Sequence, residues 1–343
     1  MSKLVSILTL THNDYDFIFE FVESICDNFR TTSSQVELLF YAWECDEKYL
    51  EILNKLNSLY DVDYIKIFTG SNLGFAGGNN YLSELAIGSN LVFLNPDTSI
   101  QRIDITQIDR NCENNFITAF KITLTKNLLG ESRMNGRDST HQWLSCDYWF
   151  YPQPVDINSR FIYADGAGFA ISKKLFQKIG KFDNLFFVFA EDVDLSIRAF
   201  LLGYSVLPTI STEIYHFSGG TIQGGAPLID GYRTTEFRRF MHEKNMIMIA
   251  LKYLSPFFLF LWILTWLPQF FATISLFIIN RNFNLLKSLF KSLIFIFRNW
   301  EEISRNRQNF KTKKTKSDLD LFTILQPYPS RLKLFYRFGM PKK

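Results

Sequence analysis

Leu4-Val5-Ser6-Ile7-Leu8-Thr9-Leu10-Thr11-His12-Asn13-Asp14 opens the chain with an apolar, β-branched run that stops at four polar residues. That is the pattern of a buried strand running into a loop. Phe17, Phe21, Ile25 and Phe29 then recur at helical spacing, and 36–41 reads as strand again. Further on, 49–59 predicts a second amphipathic helix, 64–68 a third strand, 80–87 a third helix and 91–94 another strand. Such alternation predicts an α/β, Rossmann-like fold with a mostly parallel central sheet and flanking helices. Sheets of this kind place ligands at the carboxyl ends of their strands, so chemistry is sought in the loops 11–14, 71–80 and 95–98.

The 343 residues suffice for one large core plus an appendage. Hydrophobic residues make up 47% and charged residues 21%, which excludes a disordered chain and leaves apolar surface beyond a single core. The net charge of +3, with no basic stripe before residue 230, argues against nucleic acid as a partner. Cys26, Cys45, Cys112 and Cys146 are scattered without the close pairing of a zinc or redox motif and read as reduced thiols. The first ten residues lack a charged leader and apolar stretch, so the first domain is expected in the cytoplasm.

Three stretches carry polar groups suited to chemistry. Asn72-Leu73-Gly74-Phe75-Ala76-Gly77-Gly78-Asn79-Asn80 joins a strand to a helix, either as a plain turn or as backbone that a bulky polar ligand approaches closely. Asn95-Pro96-Asp97-Thr98 follows an apolar strand; its residues suit a turn, and Asp97 equally suits a divalent cation beside a diphosphate. Glu191, Asp192 and Asp194 put three carboxylates within four residues. Such a run is either a solvated helix start or a source of a general base, with Arg198 about one turn along the same face to balance charge. His216, at the end of a predicted strand and before the glycines 219 and 220, is either a structural imidazole or part of the site, with the glycines as a closing loop.

In order and spacing these segments resemble the family 2 glycosyltransferases of the GT-A fold, and within them the rhamnosyltransferase-like branch. The resemblance spans most of residues 3–255 and includes Gly166-Ala167, Gly180 to Asp183, and Glu243-Lys244-Asn245 through Lys252-Tyr253. It implies an inverting transfer of a sugar from a nucleotide diphosphate, with Asp192 as base and Glu191 as its rival. Asp97 matches the second acid of the family's metal motif, whose first position is Asn95 here, and His216 matches a histidine that completes metal binding. Mg²⁺ or Mn²⁺ is the implied cofactor. Thr11, Asn13, Asp46, Asn72, Gly74 and Gly78, with Asn95 and Asp97, are the expected nucleotide-sugar contacts; Asp165, Gly166, Ala167 and Arg198 are expected at the sugar and acceptor. The chain departs from the family after the second strand, where an acid that grips the base is replaced by Ala42. Either Asp46 or Glu44 then recognises the base from a shifted loop, or Trp43 stacks on it, or base recognition is weak.

Residues 253–280 contain no charge and include Pro256 and Pro268, and 281–316 hold ten Lys or Arg against Glu301 and Glu302. Such a run is long enough to span a bilayer; its prolines suit a broken, re-entrant or surface-lying arrangement as well as a straight span, and its basic flank favours a hairpin or an interfacial anchor. Residues 285–297, with Lys287 and Lys291, suit an amphipathic surface helix, and 311–316 a disordered tail. The expected organisation is a GT-A catalytic domain over 1–245, membrane-associating helices over 246–300 and a basic tail over 301–343. The expected partners are a nucleotide-diphosphate sugar, a glycan or lipid-linked glycan acceptor and the lipid surface at the cytoplasmic face of the cell membrane, in cell-surface polysaccharide synthesis. A non-catalytic glycan-binding scaffold and a nucleotidyltransferase are the alternatives.

Overall fold

The computed structural model describes residues 4–29, 36–60, 64–125, 143–217 and 234–327. Strands β1 (Val5–Thr11), β2 (Val36–Trp43), β3 (Ile65–Gly70) and β4 (Asn90–Leu94) alternate with helices α1 (Ile18–Phe29), α2 (Glu47–Tyr60) and α3 (Gly74–Leu85). After them come β5 (Thr98–Arg102), α4 (Ile105–Glu113), β6 (Phe116–Leu124), the small strands β7 (Trp143–Cys146) and β8 (Pro152–Val155), and β9 (Gly168–Ser172). Helix α5 (Lys173–Lys178), a 3-10 turn at Asn184–Phe186, α6 (Glu191–Leu201) and β10 (Ser205–His216) follow.

The main sheet has the order β3-β2-β1-β4-β9-β6-β10-β5. β1 pairs in parallel with β2 and β4, β2 with β3, and β6 with β10, whereas β9 and β5 run antiparallel to their neighbours. The parallel strands read as near-continuous apolar runs because both their faces are covered. Val5, Ile7, Val92 and Phe40 face α1 and α2 in one core layer. Leu8, Leu39, Phe93 and Phe169 face α3, α5 and α6 in the other. Phe93 packs on Phe169, Phe176 and Phe182 at centroid distances of 4.7, 5.1 and 5.4 Å. Burying such a ring contributes about 1.5–3 kcal/mol, so this cluster pins β4, and the loop that leaves it, against β9.

The expected third helix starts earlier than its sequence predicts. Gly74 has a left-handed φ of 68°, and α3 begins there rather than at residue 80. The glycine-rich stretch is the first half of the helix, because Gly78 lets it lie against β1: a Cβ there would stand 2.7 Å from Leu10.

Beyond β10 the chain is helical: α7 (Glu236–Tyr253), α8 (Pro256–Ile279), α9 (Phe283–Arg298), α10 (Trp300–Lys311) and α11 (Asp318–Ile324). The boundary expected at residue 245 falls inside α7, whose Lys252 and Asn245 are buried against the preceding 180–194 region. α8 is one continuous helix, the unbroken one of the arrangements its prolines allow. Pro256 occupies its first turn, where no amide hydrogen is needed, and the helix runs on through Pro268. It is the one described helix long and apolar enough to cross a membrane. Trp262, Trp266, Phe270 and Phe277 pack inward, while Phe257, Phe260, Leu264, Phe271 and Ile279 stay exposed. α9 is amphipathic: Leu285, Leu289 and Ile296 are buried, and Phe290, Ile294 and Phe297 lie outside beside Lys287 and Lys291. Residues 311–316 are not a loose tail: the amides of Thr315 and Lys316 donate to the Leu201 carbonyl at the end of α6. The glycines 219 and 220 lie outside the described residues.

Candidate active site

The site is built at the carboxyl edge of the sheet, where β1, β2 and β4 end and β9 begins. In the loop after β1, the Thr11 hydroxyl donates to Asp14 at 2.9 Å and Asn13, with a left-handed φ of 53°, accepts the Asp46 amide at 3.0 Å. Asp46 in turn accepts from the Tyr49 amide at 2.8 Å and the Tyr15 hydroxyl at 2.5 Å. Thr11, Asn13 and Asp46, expected to touch the nucleotide, lace two loops together, and Asp46 caps α2 through its Oδ1. The Tyr15 hydroxyl also holds the Asp46 carboxyl below the usual carboxylate range. Ala42 is buried, and Trp43 stacks on the His12 imidazole at 3.9 Å, leaving that aromatic pair as the wall at the end of β2.

Asn72 caps the next turn by accepting the Gly74 amide at 2.9 Å. The close approach that Gly74 permits is filled by the chain itself: a Cβ there would meet the Phe187 carbonyl at 2.4 Å. The Phe187 oxygen accepts from Ala76 at 3.1 Å, so the glycine turn seats a loop that enters α6. Gly74 and Gly78, expected among the nucleotide-sugar contacts, have these packing roles within the chain.

At the end of β4 the Asn95 amide donates to the Ala167 carbonyl at 3.3 Å, joining the Asn-Pro-Asp turn to the turn before β9. Asp97 is buried, and its Oδ1 lies 3.3 Å from His216 Nε2. The two are brought together because His216 is in register with Thr98 where β10 returns beside β5. A carboxylate and an imidazole side by side are donors that Mg²⁺ or Mn²⁺ accepts, and in that respect the pair fits the expected cation. Among the described residues no group of three or more His, Cys, Asp and Glu forms a complete protein cage. A cation here would take its remaining ligands from a diphosphate and water.

Asp165, Gly166 and Ala167 precede β9, and there Asp192 meets them. Its Oδ2 accepts the Gly166 amide at 2.9 Å and its Oδ1 the Val193 amide at 2.7 Å. Gly166 packs closely here: a Cβ would stand 3.2 Å from the Phe75 ring and 3.5 Å from Asp192. Burial and then the nearby Asp165 charge push the Asp192 carboxyl up to about 7, against the pull of the two amides. Glu191 is pushed well upward, first by burial and then by Asp192, and its Oε2 has no hydrogen-bond partner among the described residues. Tyr163 and Cys146, which sequence reasoning did not single out, are buried beside this group and are pushed up by burial.

Arg198 does not join this group, correcting the acceptor role expected for it. It donates to the carbonyls of Ile179 and Gly180 at 3.0 and 3.1 Å, to Lys181 at 2.6 Å and to Asp194 at 2.9 Å. Lys252 bridges Asp194 and Asp183, each at 2.7 Å, and the Tyr253 hydroxyl adds a bond to Asp194. The result is a closed buried network tying α6 to α7.

The loop before α6 is strained. Phe187 has φ 64° and ψ −66° with its neighbours bonded across it, a γ-turn of the rare hand, and Phe189 and Ala190 have φ 68° and 64°. Such residues cost about 1–3 kcal/mol each. Lys244 donates to the carbonyls of Leu185 and Phe186 at 2.6 and 3.2 Å, and Asn245 to those of Phe186, Val188 and Phe189 at 3.1, 3.0 and 2.5 Å. The two Asn245 hydrogens are shared among three carbonyls; at about 0.5–1.5 kcal/mol for a neutral hydrogen bond and about 1.5–3 for a charged one, these contacts can offset the strain. Lys244 is also held down to about 8 by its burial.

No family model matches the sequence, and no curated protein matches it. Solved structures do share the fold. TarS 1-349 of S. aureus in complex with UDP-GlcNAc superposes with a TM-score of 0.53 at 15% identity, covering 94% of this chain and 89% of that one. The mannosyltransferase PcManGT of Pyrobaculum calidifontis, in complex with GDP-Man and Mn²⁺, gives 0.50 at 11% identity over 86% and 87%. GalNAc-T7 with UDP, GalNAc and Mn²⁺ gives 0.55 at 15% identity over 74% of this chain, which spans 49% of that protein. The fold is therefore the GT-A fold of glycosyltransferases.

Proposed function

We propose that this chain is an inverting glycosyltransferase that moves a sugar from a nucleotide diphosphate to a hydroxyl of a glycan or lipid-linked glycan. The observation that carries this reading is the Asp192 carboxylate, held by the Gly166 amide at the carboxyl edge of a GT-A sheet with its proton affinity raised to about 7. A base tuned near neutrality has the proton affinity that general-base catalysis needs. In the reaction the acceptor oxygen forms a bond to the anomeric carbon, its proton passes to Asp192, and the bond from that carbon to the diphosphate oxygen breaks. Attack from the opposite face inverts the centre.

Asp97 and His216 would hold Mg²⁺ or Mn²⁺, which supplies Lewis-acid stabilisation of the departing diphosphate. Asp165 raises the basicity of Asp192, and Gly166 and Ala167 line the floor against which acceptor and sugar are set. The resemblance of the motifs supports rhamnose as the first donor sugar to test, and a wall of Trp43 and His12 in place of an acid at 42 supports recognition of the base by stacking. The exposed apolar faces of α8 and α9, mixed with Lys287 and Lys291, support attachment to the cytoplasmic face of the cell membrane, where lipid-linked acceptors of polysaccharide synthesis are presented.

Release of nucleotide diphosphate from a panel of dTDP-, UDP- and GDP-sugars, with Mg²⁺ or Mn²⁺ and membrane extract as acceptor, tests this directly. One donor class should turn over, with loss on chelation and recovery on adding the cation back. Silence from every donor would favour a non-catalytic glycan-binding scaffold, a reading to which Ala42 and the capping role of Asp46 also lend weight.

A further inference from the structure

We infer that Asn245 is a positioning residue for the transfer step, holding from α7 the strained turn that sets where Asp192 stands. The inference rests on the reading of Asp192 as base. Three carbonyls, of Phe186, Val188 and Phe189, converge on one Asn245 nitrogen at 2.5–3.1 Å. That convergence fixes the amide's orientation, since an oxygen in its place would face three other oxygens. The Asn245 oxygen is buried with no partner among the described residues, so the whole side chain is committed to this turn.

Rings from α7 grip the same turn. His242 stacks on Phe189 at 4.9 Å, the Arg238 guanidinium lies 4.4 Å over that ring, and Phe237 meets Phe187 edge-on at 6.5 Å. On its other side the Phe187 carbonyl binds the start of α3. The turn therefore lies between the glycine turn of α3 and the acidic start of α6, and Ala190, in left-handed backbone, is immediately followed by Glu191 and Asp192. Releasing the turn removes the reason for Ala190 to hold φ 64° and lets the first residues of α6 rotate. The groups that face Asp192 are Asp165 and Glu191, with Tyr163 and Cys146 beside them; Lys244 faces Glu191. Rotation away from them returns the Asp192 carboxyl towards its ordinary range.

The test compares wild type, Asn245→Ala, Ala190→Gly with Asn245→Ala, and Asp192→Asn by donor turnover from pH 5 to 9 on the full chain, each referred to its folded fraction. Asn245→Ala should lower kcat about 10²-fold, the cost of misplacing a reacting group by about 1 Å, with donor KM unchanged and the acid limb moved to lower pH. Glycine at 190 adopts left-handed backbone freely, so the double variant should recover much of the lost turnover. A folded Asn245→Ala with wild-type kcat and an unmoved limb overturns the inference, as does a double variant no better than the single. Turnover retained by Asp192→Asn would instead overturn the assignment of the base.

Discussion

Asp192 and Asp194 stand two residues apart on α6 and have opposite surroundings. Asp194 faces α7, fully buried, with Arg198, Lys252 and Tyr253 bonded to its two oxygens. Asp192 faces the edge of the sheet, bonded only to two amides among the described contacts and set beside Glu191 and Asp165. Two residues along a helix turn a side chain by about 200°, so one run of acids serves two faces. On one face the carboxylate is neutralised and locks the helix in place. On the other it is kept short of positive partners, which raises its affinity for a proton. The locked face is what lets the other remain electrostatically unfavourable without the helix start unwinding.

The largest expected effect on this contrast comes from the locked face. Lys252→Met leaves Asp183 and Asp194 buried without their shared cation and should destabilise the fold by about 3–5 kcal/mol, read from denaturant unfolding. His216→Ala should reduce turnover about 10²-fold, or ~2.7 kcal/mol, and raise the cation concentration needed for half-maximal rate; an unchanged cation requirement would separate His216 from the metal.

A smaller effect belongs to Asp192 itself. Its native proton affinity is raised above the unfolded value, so the native state holds the proton that the unfolded state loses. Stability from this group is complete below the ordinary carboxylate range and falls as pH rises towards about 7. Asp192→Asn should therefore gain about 1–3 kcal/mol over wild type at pH 8 and little at pH 4, by unfolding at the two pH values. Smallest is Phe297→Ser on α9, which should weaken sedimentation with anionic vesicles without altering the melting temperature, because this ring is 84% exposed.

The first half of the sheet was legible in the sequence because parallel strands bury both faces and so write apolar runs separated by helical periods. The antiparallel return of β9 and the pairing of β10 with β5 depend on contacts between residues far apart in the chain, such as Leu94 with Gly168 and Thr98 with His216, which leave no local pattern. Asp97, His216, Gly166 and Asp192 were named through motifs and resemblance, whereas the bond between Gly166 and Asp192 is seen only in the fold. At Gly74 and Gly78 glycine signals close approach but not what approaches, and the packing against Phe187 and Leu10 needed the folded chain to be seen. Arg198 was placed about one turn from the acidic run to balance its charge; that the carboxylate it meets is Asp194, on the face turned towards α7, required the helix to be seen in space. Lys244, Asn245 and Lys252 lie on a helix whose buried polar face matters only once the turn at 185–190 is seen against it.

Asp192→Asn and Asp194→Asn, compared side by side for donor turnover and melting temperature, test the division of α6 most directly. The account predicts that Asp192→Asn melts no lower than wild type and loses turnover about 10²- to 10⁴-fold, while Asp194→Asn melts lower and turns over normally per folded molecule. An Asp192→Asn protein that turns over at the wild-type rate would contradict it.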